Sequence, residues 1–278
     1  MDQEIGEFLR TRRARLNPAE AGLPEYGRRR VPGLRREEVA QLAGVSVDYY
    51  VRLEQGRSPS ASDAVLDAIA RALRLDDTER AHLRNLVRPV KSPRIKAGPQ
   101  RVRQGLHRVV ELMTHAPAFV LGHRMDVLAW NDLADAVLGF STWTRRNAAY
   151  QAFLDPAARG FYREWPRVAA ETVAVLRLSA GRRPDDPQLA ALVGELSMKD
   201  DLFRELWARH EVKEKTFGRK LLRHPIVGDL DLAYETLAPA GDAEQMLVVF
   251  TAAAGSASAE RLGLLASWTA TAPDTVAH

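Results

Sequence analysis

The stretch from Arg35 to Arg57, RREEVAQLAGVSVDYYVRLEQGR, constrains the fold more than any other part of this chain. It holds two short runs of helical spacing separated by one glycine. Val39, Leu42 and Ala43 are spaced to form the buried face of a first helix. Ala40 is small, which lets a second helix approach closely. Gly44 falls where the first helix must stop, because glycine takes the left-handed conformation at no steric cost. Val45 is apolar and is expected to plug the core inside the turn. Ser46 is a good N-cap, so a second helix is predicted to start there. Tyr50 and Leu53 then face inward, while Val47, Asp48, Tyr49 and Arg52 face outward. Glu54-Gln55-Gly56-Arg57 closes the helix with a glycine stop and a cation. A helix-turn-helix needs this order of residue types, with its second helix placed to reach base edges in a major groove.

Small Ala40, the Gly44 turn, the Val45 plug, the Ser46 cap and the Glu-x-Gly-Arg ending together resemble the Cro/C1-type (XRE family) helix-turn-helix regulators. The resemblance covers roughly residues 3 to 87, with an insertion after the first helix. The inward Tyr50 is bulkier than the aliphatic residue usual in that family. The resemblance implies double-stranded DNA as a partner. Ser46 would cap the reading helix, and Val47, Asp48, Tyr49 and Arg52 would face bases. Gln55, Arg57 and Arg35 or Arg36 would hold phosphates. One domain of this size offers little base contact, so a homodimer on a two-half-site operator is expected.

The surrounding residues extend this plan into an all-α N-terminal domain over 1–87, with its core motif at 34–81. A first helix is predicted from Gln3 to Leu16, with Ile5, Phe8, Leu9 and Arg12 on one face. Asn17-Pro18 ends it, and residues 17–34, with three Pro, three Gly and an arginine run at 28–30, read as a loop or basic arm. Ser62 to Leu75 and the capped segment after Asp76 give a fourth and a fifth helix. Residues 1–98 carry 19 Lys and Arg against 14 Asp and Glu, a balance of +5, whereas the remaining residues carry 21 against 22, a balance of −1. The excess positive charge thus lies in the half expected to meet phosphates.

Residues 88–104 begin with a Pro-rich, basic stretch that reads as a linker. Beyond it, over 105–266, the pattern becomes α+β. A helix ends near Met113. Ala118 to Leu121 and Asp126 to Asn131 flank a turn and read as a β-hairpin. Helical patterns follow at Asp132–Leu138, Asp155–Phe161, Trp165–Ala180, Gln188–Met198 and Asp200–His210. Strands are expected at Glu214–Leu222, Leu230–Leu237 and Met246–Thr251, then a last helix near Ala259–Trp268 and a tail over 267–278. The simplest assembly is one five-stranded antiparallel sheet with helices, a PAS-like plan.

The segments DVLAWND at 126–132, WPRVAAETVAVLRLSAGR at 165–182, DDLFRELWARHEV at 200–212, GRKLLRHPIVGDLDLAYETL at 218–237 and LVVFTAAAGSAS at 247–258 resemble the MmyB-like ligand-binding domain. That resemblance implies a transcription regulator whose PAS-like domain holds a small, largely apolar ligand such as a fatty acid. The aromatic-rich middle fits such a cavity: Trp130, Trp143, Phe153, Phe161, Tyr162, Trp165, Phe203 and Trp207. Trp130, Asn131, Trp165, Arg177, Phe203, Trp207 and His210 are the candidate ligand contacts. Arg177, inside an apolar helix, could pair with an anionic headgroup or make an internal salt bridge. Lys215 and His224 are further candidates, although His224-Pro225 is rather expected to fix a turn.

Several classes find no support in the sequence. There is no run of 18 apolar residues, so no membrane span is expected. The polar N-terminus MDQEIGEFLR lacks a signal peptide's pattern, and the chain is expected to be cytoplasmic. Zero cysteines exclude disulfides, thiolate metal sites and cysteine nucleophiles. No HExxH, Walker loop, GxGxxG or GxSxG is present, so no catalytic residue, metal ligand or cofactor is assigned and an enzyme is not expected. Two alternatives to ligand control remain: a C-terminal half that only dimerises or binds protein partners, and an enzyme fused to a helix-turn-helix.

Overall fold

The structure, a computed structural model, describes residues 2–19, 21–23, 33–57, 61–88, 100–240 and 244–271. The arginine run at 28–30, most of the expected linker and the end of the tail lie outside the described residues. The chain divides into two compact units. The first comprises residues 1–96 with 177–190 and 205–214, and the second comprises 97–176, 191–204 and 215–278.

Among the described residues, the N-terminal part of the first unit has five helices: α1 (Asp2–Arg15), α2 (Arg36–Ala43), α3 (Val47–Glu54), α4 (Asp63–Ala72) and α5 (Asp77–Val87). Their ends follow the local chemistry. Gly44 adopts φ 66° and ψ 31°, and Val45 N–H donates to Ala40 O at 3.0 Å, the double-back turn that satisfies the last carbonyls of α2. Ser46 Oγ accepts from Tyr49 N at 3.1 Å and starts α3. Asp76 and Glu79 form a reciprocal capping box at α5, with bonds of 2.8 and 3.1 Å. The apolar core joins Ile5, Phe8 and Leu9 of α1 to Val39, Tyr50, Leu53, Ile69 and Leu83.

Leu42 departs from the expected buried face and is 39% exposed. The helix turns about 100° per residue, which places Val39, Ala43 and Ala40 within one arc and Leu42 about 110° from its centre. Small Ala40, rather than Leu42, completes the seat on α2, and it is fully buried.

The second unit holds a five-stranded antiparallel sheet in the order β2-β1-β5-β4-β3. The strands are β1 (Ala118–Gly122), β2 (Val127–Trp130), β3 (Phe217–His224), β4 (Gly228–Leu237) and β5 (Gln245–Thr251). The expected plan of hairpin first, helices in the middle and three strands last is the one observed. Helix α6 (Gln104–Leu112) lays Val110, with neighbouring Leu106 and Met113, on Ala118, Val120, Ala129 and Leu247 of one sheet face. On the alternate positions, Phe119 meets Phe140 and Phe250 edge-on at 5.1 and 5.7 Å.

Between the hairpin and β3 come α7 (Asp132–Leu138), a 3-10 turn (Phe140–Thr142), α8 (Ala148–Leu154), α9 (Ala158–Phe161), α10 (Trp165–Arg182), α11 (Pro187–Lys199) and α12 (Asp201–Ala208). Helix α8 is not expected from the sequence. It is short and is started by Asn147, whose Oδ1 accepts from Tyr150 N at 2.9 Å. Helix α13 (Ala257–Thr271) follows β5. Ser258 Oγ at its start accepts from Asp231 N at 2.9 Å, on the stretch of β4 that β5 does not pair.

Candidate functional site

Two places in the fold could meet a partner: the outer face of α3 in the first unit, and a cavity in the second. The α3 face is built from its far end. Gly6 of α1 lies so close to α3 that a Cβ there would come within 2.2 Å of Glu54 O. At this crossing the Glu54 side chain is fully buried and takes two arginines. Arg13 of α1 reaches it through Nε and Nη2, both at 3.1 Å, and also donates to Leu34 O at 2.8 Å. Arg36 of α2 donates from Nε to Glu54 Oε1 at 2.9 Å. One carboxylate thus ties three helices together. Tyr50 packs beside it, fully buried, and burial, with the Glu54 charge behind it, raises its hydroxyl pKa.

With its inner face fixed in this way, α3 turns Asp48, Arg52 and Gln55 outward as one exposed stripe at i, i+4 and i+7. Val47 beside them is 46% exposed and Tyr49 is half-buried. Ser46 is spent on its cap. Gly56 at φ 72° turns the chain, and exposed Arg57 donates its backbone N–H to Arg52 O at 2.8 Å. Arg35 is half-buried at the start of α2, and its N–H donates to Glu38 Oε2 at 2.6 Å. Of the cations expected at phosphates, Arg36 is partly committed to Glu54. Sequence reasoning missed the brace of Arg13 and Glu54. Its signal was present, since Glu54 sits on the inward side of α3 beside Leu53.

The second place is a cavity of about 800 Å³ between the end of α7, α8, α9 and the β3–β4 turn. Its apolar wall includes Val137, Leu138, Trp143, Leu154, Phe161 and Ile226. Polar groups on it are Arg145, Tyr150, Gln151, Asp155, Tyr162 and His224. His224 is fixed by structure: Nε2 meets Ala136 O at 2.9 Å, and Nδ1 accepts from Val227 N at 3.2 Å. It therefore holds the strand turn to α7, as expected. Asp155 accepts from Ala157 N at 2.8 Å and from the Gln151 side chain. Burial and the nearby Asp155 push Tyr162 up to about 12, so its hydroxyl stays a neutral donor. Arg145 lies over the Tyr150 ring at 5.0 Å and pairs with Glu195 at 2.6 Å, which Lys199 also meets at 2.7 Å.

None of the seven residues chosen from the sequence as ligand contacts lines this cavity. Asn131 is spent on the backbone: Oδ1 accepts from Ala134 N and Ala118 N, and Nδ2 donates to Met113 O and Ala116 O. Trp130 packs against Phe140 at 5.6 Å with Arg146 over its ring. Trp165 donates to Ala152 O at 2.8 Å, and Phe203, fully buried, meets Phe153 edge-on at 5.0 Å. Arg177, Trp207 and His210 belong to the first unit. There Arg177 pairs with Glu4 at 3.4 Å and lies over Trp207 at 3.9 Å, and His210 meets Glu7 at 3.0 Å. Aromatics at helical spacing filled cores here. Of the aromatics that line the cavity, Trp143, Phe161 and Tyr162 sit where short helices break, and Tyr150 sits in short α8.

A helix-turn-helix domain model matches residues 4–83. The model of the MmyB-like transcription regulator ligand-binding domain matches residues 102–265, more than half of the chain. The chain belongs to the MmyB-like transcription regulators. In this MmyB-like regulator, the matched helix-turn-helix contains α2 to α4 with parts of α1 and α5, and the matched ligand-binding domain contains the whole sheet and the cavity. No curated protein matches the chain. Among the described residues, no helix is long and apolar enough to cross a membrane.

Proposed function

We propose that this regulator binds double-stranded DNA sequence-specifically through the outer face of α3, and that a small apolar, fatty-acid-like ligand in the cavity controls it. The observation that carries the first part is the exposed stripe of Asp48, Arg52 and Gln55 on a capped helix whose far end is braced by Glu54. Arg52 suits bidentate donation to guanine, and Asp48 suits acceptance from cytosine N4. Arg57, Arg35 and the partly committed Arg36 are the cations offered to phosphates. Asp48 repels phosphate, so its value lies in discrimination between sequences. A single short helix reads few bases, which favours a homodimer on two half-sites. The cavity supports the second part. Its volume is in the range of small-molecule sites, its wall is largely apolar, and Arg145 offers a cation to a carboxylate.

Selection of bound duplexes from a random pool by the full chain tests the DNA reading. Enrichment of a motif with two related half-sites is expected. Recovery of duplexes without any shared motif would contradict it.

A further inference from the structure

Two segments that the ligand-binding family model covers in sequence, 177–190 and 205–214, pack in the same compact unit as α1 to α5. Leu178 and Val212 belong to the same apolar core as Ile5, Phe8 and Leu83. The seat around them is polar and buried. His82 of α5 lies against Gly181 of α10, where any Cβ would come 2.3 Å from the imidazole Cε1. The same imidazole meets Phe8 edge-on at 5.1 Å. Arg12 of α1 donates to His210 O at 2.7 Å and pairs with Glu79 at 2.7 Å. Glu4 and Glu7 of α1 receive Arg177 and His210. Meanwhile the stripe of Asp48, Arg52 and Gln55 on α3 stays exposed.

Such a seat holds position more than it adds stability. Arg12 and Arg177 are 3% and 4% exposed, and desolvating two guanidiniums offsets much of what their carboxylates return. Among the described residues Arg177 Nε, Arg12 Nη1 and His82 Nδ1 have no hydrogen-bond partner, and each buried unpaired group weakens the docked state. The contact is therefore specific in shape, through Gly181 and His82, while its unpaired groups lower the cost of opening it. Those are the properties of a two-state element.

We infer that residues 177–190 and 205–214 form a polar latch on α1 and α5, and that its closed state sets the affinity for DNA. The DNA half of this inference rests on the reading of α3 given above. Gly181→Val, outside both α3 and the cavity, tests it in the full chain. Two readouts are needed: amide hydrogen exchange, and affinity for the selected two-half-site duplex by fluorescence anisotropy. Exchange in both segments and in α1 and α5 should rise at least tenfold, and affinity should fall at least fivefold. The double variant His82→Ala/Gly181→Ala, which removes the imidazole a Cβ would strike, should restore both. Glu7→Gln keeps the side chain's size and should move both readouts in the direction of Gly181→Val by at least twofold, even if the valine variant does not fold. Unchanged exchange in the variants overturns the latch. Raised exchange with unchanged affinity overturns its control of DNA binding. If the wild-type chain binds no duplex, the reading of α3 fails, and the exchange result alone decides whether the latch exists.

Discussion

Glu54 and His82 show how single buried polar residues organise the first unit in opposite ways. Glu54 is a carboxylate fully satisfied by Arg13 and Arg36. His82 is an imidazole kept neutral: burial first, then the charges of Arg177, Arg12 and Arg182, lowers its pKa to about 3. His210 is lowered to about 3 by burial, Arg177, Arg12 and Arg10, although Glu7 at 3.0 Å favours its charged form, which leaves His82 the cleaner case. The folded state thus refuses a proton that the unfolded chain accepts below about pH 6.5. Stability from His82 is fully present above that pH and is lost as pH falls toward 3, by at most about 1.4 kcal/mol per pH unit. Urea melts of wild type and His82→Gln between pH 7.5 and 5 check this. The stability difference between the two proteins should shift by about 1–2 kcal/mol in favour of the variant at the lower pH. A constant difference would show that His82 is not held neutral.

At the scale of elements, the cavity depends on short pieces that break: α8, the turn at Asp155-Pro156 and α9 leave a wall that longer helices would have closed. Arg145 at the cavity and Phe161 within it make a direct ligand prediction. Titration calorimetry with dodecanoate should show saturable binding to the wild-type chain. Phe161→Arg should reduce it at least tenfold, and Arg145→Ala should reduce it about ten- to a hundredfold, the scale of one charge-assisted hydrogen bond. Equal binding by all three proteins would remove this cavity as the site. These elements also mark what sequence can carry. The turn from Gly44 to Ser46 was legible because each residue type has one local cause: a left-handed stop, a plug and a cap. The sheet was legible from its strand spacing. The cavity was not, because a void is the absence of packing and leaves no period in the sequence. Trp165 and Phe203 look no different from Phe161 until their neighbours are known. Arg177 was legible as one of two alternatives, and in the structure it makes the internal salt bridge, to Glu4.

At the scale of the whole molecule, the positive balance of the first 98 residues and the exposed face of α3 point to the same polyanion. The same balance would attract any nucleic acid, so it accounts for affinity and on-rate but not for sequence choice. Choice must come from base contacts, and the proposed reading gives the two tasks to different residues. Arg52 stands in the middle of the reading stripe, whereas Arg57 follows the Gly56 turn beyond the helix. The central claim is that α3 reads bases while its flanking cations hold phosphates. It is tested most directly by fluorescence anisotropy of the full chain on the selected duplex and on a scrambled one, across a range of salt. Arg52→Ala should collapse the preference for the selected duplex by about 1–3 kcal/mol. Arg57→Ala should weaken both duplexes alike and lower the salt slope by about one. Equal losses and equal slopes for the two variants would contradict the account.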